Sequence, residues 1–456
     1  MSLVKRPING IPDIAKLTDD QNEAFKKILT FLESPQKMYC LTGYAGTGKT
    51  TLVSFLIEYI LATSTQNISA SALTNKATLV LMQKSEIYDD RLQFNTIHSL
   101  LKIRPVIDAY GNEKFKPDPR GEQSLTDFSY VFVDEASMLD NNLFVDIYRY
   151  LMADDSTTKV IFVGDPFQLN PINHKDALPM IPEQRKKFDI GHTLLKNIVR
   201  QAEDNPIIKF SGQLRKMIYK PESLAQKGSN DGIWMIPRDK RKKIIETFFC
   251  TEKYDEDPSY CKLIAWRNDT VNKYNRIIRT MKYGKGIPDL IKGEILIVDK
   301  PIMDFFDESQ ILFFTNEELV IEDLVVSDTM AQGQKFKIYE AMAKSLTTDS
   351  KQSINLIHED SRSDFLKKLG ELKEFALKAT QGTKEARTRW VGYYDFERKF
   401  ARCKYSFALT AHRSQGTTLK NAIVLPNDIL ANSKKVEAYR CLYVAATRCS
   451  HKLLLF

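Results

Sequence analysis

The chain has 456 residues, 43% of them hydrophobic and 27% charged, which is enough to bury a core and to form about three domains, or two with large insertions. A formal net charge of +8 suits a polyanionic partner, and no apolar run approaches the ~20 residues of a membrane-spanning helix. The six cysteines form no Cys-x-x-Cys pair and no histidine stands at zinc-finger spacing, which argues against zinc or iron–sulfur chemistry and for reduced thiols in a cytosolic protein. The sequence Met1–Pro7 lacks a signal peptide's apolar stretch.

In chain order, apolar runs predict strands at 38–42, 67–73, 129–134 and 158–164, with helical stretches between several of them. A second set falls at 261–266, 405–410, 421–425 and 452–456, interrupted by helices, notably 437–447. This alternation predicts an α/β fold with two parallel-sheet domains. Two segments break the rhythm. Residues 104–128 are polar and turn-rich, and Val106–Phe115 reads as a hairpin turning near Gly111-Asn112. Short apolar runs at Gly293–Val298, Ile311–Phe314, Leu319–Ile321 and Phe336–Tyr339 predict antiparallel strands and a small β-barrel. Residues 363–379 then read as helical, followed by the aromatic cluster Trp390, Tyr393, Tyr394 and Phe396. The expected division is 1–103 with 129–185 as a first domain, 104–128 as a hairpin insertion, 186–289 with 404–456 as a second domain, and 290–403 as an insertion in the second.

The most specific signal is Gly43-Tyr44-Ala45-Gly46-Thr47-Gly48-Lys49-Thr50, a full G-x-x-x-x-G-K-[ST] loop between a predicted strand and a predicted helix. Such a loop aims backbone N–H groups from Gly43, Ala45, Gly46, Thr47, Gly48, Lys49, Thr50 and Thr51 at a triphosphate, and the following helix presents its positive end. Lys49 is expected on the β/γ-phosphates and the Thr50 hydroxyl on Mg²⁺. The strand Val131-Phe132-Val133 ends in Asp134-Glu135, placing Asp134 opposite Thr50 in the Mg²⁺ shell and Glu135 where it can polarise the attacking water. Val163-Gly164-Asp165-Pro166-Phe167-Gln168 ends another strand, from which Gln168 can sense the γ-phosphate. Two arginines, Arg200 and Arg448, are the candidates to stabilise charge on the transferred phosphoryl group.

With these pieces in order the chain resembles superfamily 1B DNA helicases of the RecD/Dda branch, from about residue 17 to the C-terminus. Leu17-Thr18-Asp19-Asp20-Gln21 is similar to the family's glutamine motif, which implies an adenine contact for Gln21. Thr74-Asn75-Lys76-Ala77 and Asn95-Thr96-Ile97-His98-Ser99-Leu100 resemble first-domain motifs that hold single-stranded DNA, and Ala265-Trp266-Arg267-Asn268 with Val271–Asn275 resembles a second-domain segment. Thr410–Thr418, with Gly416, resembles the motif linking DNA to ATP, although Arg413 stands where the family commonly has lysine. The resemblance implies two RecA-like domains, a strand-separating pin at 104–128, an SH3-like insertion within 290–360, and 5′→3′ travel.

Thr74, Thr96, His98, Thr410 and His412 carry side chains suited to phosphate contacts, to which the motifs add Asn75, Lys76 and Asn268. Phe115 or Tyr110 at the hairpin can stack on a base pair at a fork, worth ~1–3 kcal/mol per base. The aromatic cluster at 390–396 is expected to brace the hairpin or line the DNA path, with core packing as the equal alternative. The reading is thus an ATP- and Mg²⁺-dependent translocase on single-stranded DNA that unwinds duplexes in phage replication or recombination. Its alternative is a protein-displacing motor or recombination-complex subunit with weak unwinding. The partners implied are single-stranded DNA and forks, with a single-strand-binding protein as a further candidate, no membrane, and a monomeric protein in the (host) cytoplasm.

Overall fold

The computed structural model describes residues 10–85, 87–118, 124–153, 155–171, 176–199, 205–224, 231–304 and 311–456. In chain order the strands are β1 (Met38–Gly43), β2 (Ile68–Ala72), β3 (Leu92–Thr96), β4 (Ile103–Ile107), β5 (Glu113–Pro117), β6 (Tyr130–Val133), β7 (Lys159–Gly164), β8 (Ile190–Leu195), β9 (Gly232–Met235) and β10 (Cys261–Ala265). They continue with β11 (Ile295–Val298), β12 (Ile302–Met303), β13 (Ile311–Phe313), β14 (Glu318–Ala331), β15 (Gln334–Ser345), β16 (Lys351–Ile357), β17 (Cys403–Tyr405), β18 (Ala408–Thr410), β19 (Leu419–Val424) and β20 (Cys449–Leu455). The chain divides into two compact units, one of Met1–Leu101, Gly121–Lys282 and Phe407–Phe456, the other of Lys102–Arg120 and Tyr283–Ser406.

The first unit holds two parallel sheets, confirming the expected fold class. The first sheet runs β3-β2-β6-β7-β1-β8 and the second β18-β10-β19-β20-β9. Central strands such as β6 and β7 are near-continuous apolar runs, the pattern of strands buried on both faces. Every residue of β1, Met38–Gly43, is buried. Phe25, Ile28, Leu52, Leu56, Phe132 and Ile161 fill the core of the first lobe. Ile264, Val424, Leu442, Val444 and Leu453 fill that of the second. Ala45 and Phe167 pack against this second core from phosphate-loop and β7-end positions, and Leu169 is part of it, so the two lobes meet there.

Two expected boundaries shift. The first sheet does not end before residue 186, because β8 pairs in parallel with β1, Met38 opposite Ile190 through Gly43 opposite Leu195. Gly191 is required there: a Cβ on it would lie 2.4 Å from Tyr39 Cδ2. Likewise the insertion does not end at 403, because β17 pairs antiparallel with β11, Leu296 opposite Tyr405.

The second unit carries the antiparallel sheet β16-β15-β14-β11-β17 and the ribbon β12-β13 around a core of Leu296, Val298, Phe313, Ile321, Tyr339 and Ile354. The antiparallel strands expected here are present as this sheet and its ribbon, with β14 and β15 forming a longer hairpin than the apolar runs indicate. The helices Arg362–Leu377 and Lys384–Arg398 follow. Phe396 and Phe400 pack with Phe336 and Ile338 of β15. The hairpin at 104–128 is β4–β5, with Ile103 opposite Pro117 and Ile107 opposite Glu113. Its turn is pinned by Asp108, whose Oδ1 accepts from the N–H groups of Tyr110 and Asn112, both at 2.9 Å. The Asn112 N–H is the first cause holding that carboxyl down to about 2.

Candidate functional site

The phosphate loop joins β1 to the helix Lys49–Thr63, as its letters require. Gly46 and Gly48 have φ of +84° and +76°, a left-handed backbone that a side chain disfavours. A Cβ on Gly43 would fall 2.6 Å from Thr47 Oγ1, so all three glycines are set by the loop's tightness. Lys49 Nζ donates to Gly43 O at 2.8 Å and Tyr44 O at 3.1 Å, which holds the ammonium inside the loop. Thr50 and Thr51 open the helix. Gln21 is buried and donates from Nε2 to Thr47 O at 3.1 Å while its Oε1 accepts from Thr18 N–H, so this amide supports the loop backbone directly. Val199 N–H donates to Gly46 O at 2.8 Å. Arg200 lies outside the described residues.

The acids follow β6, two strands from β1 in the sheet. Asp134 Oδ1 accepts from the Glu135 N–H at 2.8 Å. Glu135 itself has φ of +52°, an outlier for a residue with a Cβ and the kind of strain that collects at reactive positions. Gln168 is buried beyond β7, with its N–H donating to Asp165 O at 3.0 Å. Thr50 and Asp134 offer hard oxygen donors, a set that fits Mg²⁺, which binds through one or two protein oxygens with phosphates and water.

The second lobe bonds to these groups through three side chains, Gln415, Arg440 and Tyr443, while the guanidinium of Arg448 bonds within its own lobe, to Val444 O, Thr417 O and Thr447 Oγ1. Gln415 donates from Nε2 to Glu135 Oε2 at 3.3 Å and to Gln168 Oε1 at 3.2 Å. Arg440 donates to Gln168 O at 3.4 Å and to Asp176 Oδ1 at 2.6 Å. Tyr443 sits between the Ala45 N–H and Asp165. Arg448 ends the helix Lys435–Thr447 and is buried, donating from Nε to Val444 O at 3.1 Å. Burial, more than anything else, lowers its pKa, and Glu135 and Asp165 pull the other way. Gly416, beside Gln415, has φ of +76°. Of these groups, Gln415, Arg440 and Tyr443 were not singled out from the sequence. The signal for Gln415 was its place inside the 410–418 motif.

The expected nucleic-acid residues cluster in a repeated local geometry. Thr96 ends β3 and caps the helix Ile97–Leu100, its Oγ1 accepting from Ser99 N–H at 3.2 Å, with His98 second in that helix. Thr410 ends β18 and caps Ala411–Ser414 in the same way, accepting from Arg413 N–H at 3.2 Å, with His412 second. The neighbouring strands β2 and β10 lead to Thr74, which accepts from Ala77 N–H at 3.2 Å, and to Asn268. Asn75 and Lys76 open the helix after Thr74. Strands β3 and β18 are the edge strands of their sheets, with β2 and β10 next to them, so these residues line equivalent edges of the two lobes. Burial pushes the His98 pKa down. Phe115 is 52% exposed on β5, in the other unit.

Comparison with known proteins agrees with the two-lobed fold. The family described as AAA domain matches residues 16–229, and the UvrD-like helicase C-terminal domain matches 405–456. The ATP-dependent DNA helicase dda of Enterobacteria phage T4 is 24% identical over 453 residues, covering 95% of this chain and 97% of that protein. The RecBCD enzyme subunit RecD of Buchnera aphidicola subsp. Schizaphis graminum is 23% identical over 468 residues, covering 94% of this chain and 72% of that one. Pif1 helicase from Bacteroides, solved with ADP-AlF3 and single-stranded DNA, shares the fold at a TM-score of 0.50 and 17% identity, covering 95% of this chain and 91% of that one.

Proposed function

We infer that this chain, whose homologues include the Dda helicase and RecD subunits, is an ATP-dependent DNA helicase of superfamily 1B that translocates 5′→3′ on single-stranded DNA and parts the duplex at a fork. The observation that carries this reading is the seam: Gln415 of the second lobe bonds both Glu135 and Gln168 of the first.

The chemistry follows from these positions. Lys49 and the loop amides bind the β- and γ-phosphates, and Gln21 steadies the loop beside the adenine end. Mg²⁺, held by Thr50 and Asp134, would offset charge on the phosphate oxygens. Glu135 accepts a proton as a water oxygen bonds to the γ-phosphorus, while the bond to the β–γ bridging oxygen breaks and ADP leaves. Gln168 and Gln415 orient the water and the γ-phosphate. Arg448 and Arg200 take up the charge of the transferred group. Because the acids and the arginine belong to different lobes, hydrolysis is competent only when the lobes are together.

The track is the pair of equivalent edges carrying Thr74, Asn75, Lys76, Thr96 and His98 on one lobe and Asn268, Thr410 and His412 on the other. Threonine hydroxyls and helix N-termini suit phosphate oxygens, and a contact set on each lobe lets the distance between the two change along the strand as the seam opens and closes. The β4–β5 hairpin, with Phe115 exposed, serves as the pin. The protein acts as a monomer on forks arising in viral DNA replication or recombination, alongside a single-strand-binding protein.

The test is a Lys49→Ala variant together with a polarity assay. Lys49→Ala should abolish DNA-stimulated ATP hydrolysis and leave single-strand binding in place, and the wild type should unwind a duplex with a 5′ tail and not one with a 3′ tail. Turnover by Lys49→Ala, or unwinding from the 3′ tail alone, defeats the reading.

A further inference from the structure

The second lobe also grips the phosphate loop itself. The Tyr443 hydroxyl, only 1% exposed as a residue, accepts from the Ala45 N–H at 3.0 Å and donates to Asp165 Oδ2 at 2.7 Å. Burial, and then the neighbouring Asp165 charge, drives the phenol's pKa well above its ordinary value, so the oxygen keeps its proton for Asp165 and its lone pair for Ala45. Beside it the Arg215 guanidinium, from the helix Pro206–Arg215, lies 3.8 Å from the centroid of the Tyr44 ring. Tyr44 and Ala45 are the first two variable positions of the G-x-x-x-x-G-K-[ST] loop, and both are held from the far side of the seam. The Ala45 N–H, expected to point at the triphosphate, is instead taken by Tyr443, and Tyr443 sits five places before Arg448, the residue that caps the same helix.

We propose that Tyr443 is a positioning residue for ATP hydrolysis, a latch by which the helix that delivers Arg448 also sets the shape of the phosphate loop. The loop turns through two left-handed glycines, and its N–H groups bind phosphate only when they converge. A bond from Tyr443 at Ala45 fixes the entrance to that turn. When the lobes part, the Ala45 N–H and the buried Asp165 carboxylate lose their shared partner at the same moment, a costly change for desolvated polar groups. Loop order and arginine delivery are then one motion, so ATP binds tightly only to the closed form. This rests on the seam being the site of ATP hydrolysis.

Tyr443→Phe tests it, since the ring and its packing stay and one oxygen goes. The readouts are the affinity for the non-hydrolysable analogue adenylyl-imidodiphosphate with a single-stranded oligonucleotide present, the KM and kcat for ATP, and the melting temperature. The latch predicts analogue affinity about tenfold weaker, the order expected for one bond to a buried charged network, with KM raised alike and melting lowered only modestly by the buried partners left without the hydroxyl. Arg215→Met should shift KM the same way, and the double variant should lose less than the product of the two because both act through one loop. Wild-type analogue affinity and KM in Tyr443→Phe overturn the latch, as does a fall in melting temperature with KM unmoved, which is what packing alone would give. Failure of the underlying site is separate: wild type and Lys49→Ala would then bind the analogue equally poorly, and the latch falls with it.

Discussion

Substituting Gly111 with alanine should uncouple ATP hydrolysis from strand separation. Gly111 occupies the turn of the β4–β5 hairpin with φ of +79°. A Cβ there would lie 2.5 Å from Trp390 Cε2 and 2.6 Å from Cδ2, well inside contact distance of a rigid indole. The Trp390 ring is buried, edge-on to Tyr393 and tilted against Tyr394 with centroids 5.7 and 6.2 Å away, so it has little room to move. Tyr394 adds a hydrogen bond from its hydroxyl to Gly111 O at 2.8 Å. Alanine therefore meets two penalties at once, about 1–2 kcal/mol for the left-handed backbone and about 1–3 kcal/mol for overpacking. Leaving the indole relieves the overpacking, and a cost of about 2 kcal/mol from that source lowers the docked fraction relative to the undocked by roughly thirtyfold. The assay is single-turnover separation of a forked duplex beside ATP turnover on single-stranded DNA, with Trp fluorescence reporting the indole's exposure. Separation should slow at least tenfold and single-strand-stimulated turnover should change less than twofold. Unchanged separation with a shifted Trp signal would refute the brace, and equal loss of both activities would show that the aromatic cluster serves only to fold the second unit.

Further outcomes follow from individual contacts. Gln415→Ala removes the amide that joins Glu135 to Gln168, and should cut DNA-stimulated kcat by about 10²-fold, within the range for a lost preorganised donor, with little change in DNA affinity. Asp428 accepts from the Trp266 and Arg267 N–H groups at 2.8 and 3.0 Å and from the Thr270 hydroxyl at 2.7 Å, which anchors the turn leading to Asn268. Burial opposes its ionisation, but those donors outweigh burial and hold its pKa below the ordinary value. Its stabilisation is thus present at neutral pH and is lost as pH falls through the folded pKa. Asp428→Asn should destabilise by about 1.5–3 kcal/mol at pH 7 and flatten the acid limb of the melting curve, as followed by circular dichroism. Single-strand affinity should fall with salt at a slope of about −0.7 per neutralised phosphate, read by anisotropy titration.

How much was legible in the sequence depended on whether a signal was local. The phosphate loop, the acids after β6 and the segment ending in Gln168 are each defined by a strand and the residues just beyond it, and all stand where their letters put them. The hairpin was legible because Gly111-Asn112 marks its turn. Strand β8 was not, because Ile190-Gly191-His192 breaks an apolar run, and its membership follows from pairing with β1 and from the Tyr39 ring lying against Gly191. The aromatic cluster left bracing and packing equally open, and the structure divides them: Trp390 and Tyr394 hold Gly111, while Phe396 joins the Phe336 core. Gln415 and Tyr443 lie 280 and 398 residues from Glu135 and Ala45, so nothing near them in the chain announces what they touch.

The claim that the triphosphate is handled by both lobes is tested most directly by DNA-stimulated turnover of Arg448→Lys, which keeps a buried positive charge and removes the planar fork. The account predicts that kcat falls at least hundredfold while adenylyl-imidodiphosphate still binds, in line with the 10³–10⁵-fold contribution of an arginine supplied to phosphoryl transfer. Turnover within a few-fold of wild type would mean that the second lobe's guanidinium takes no part in the chemistry.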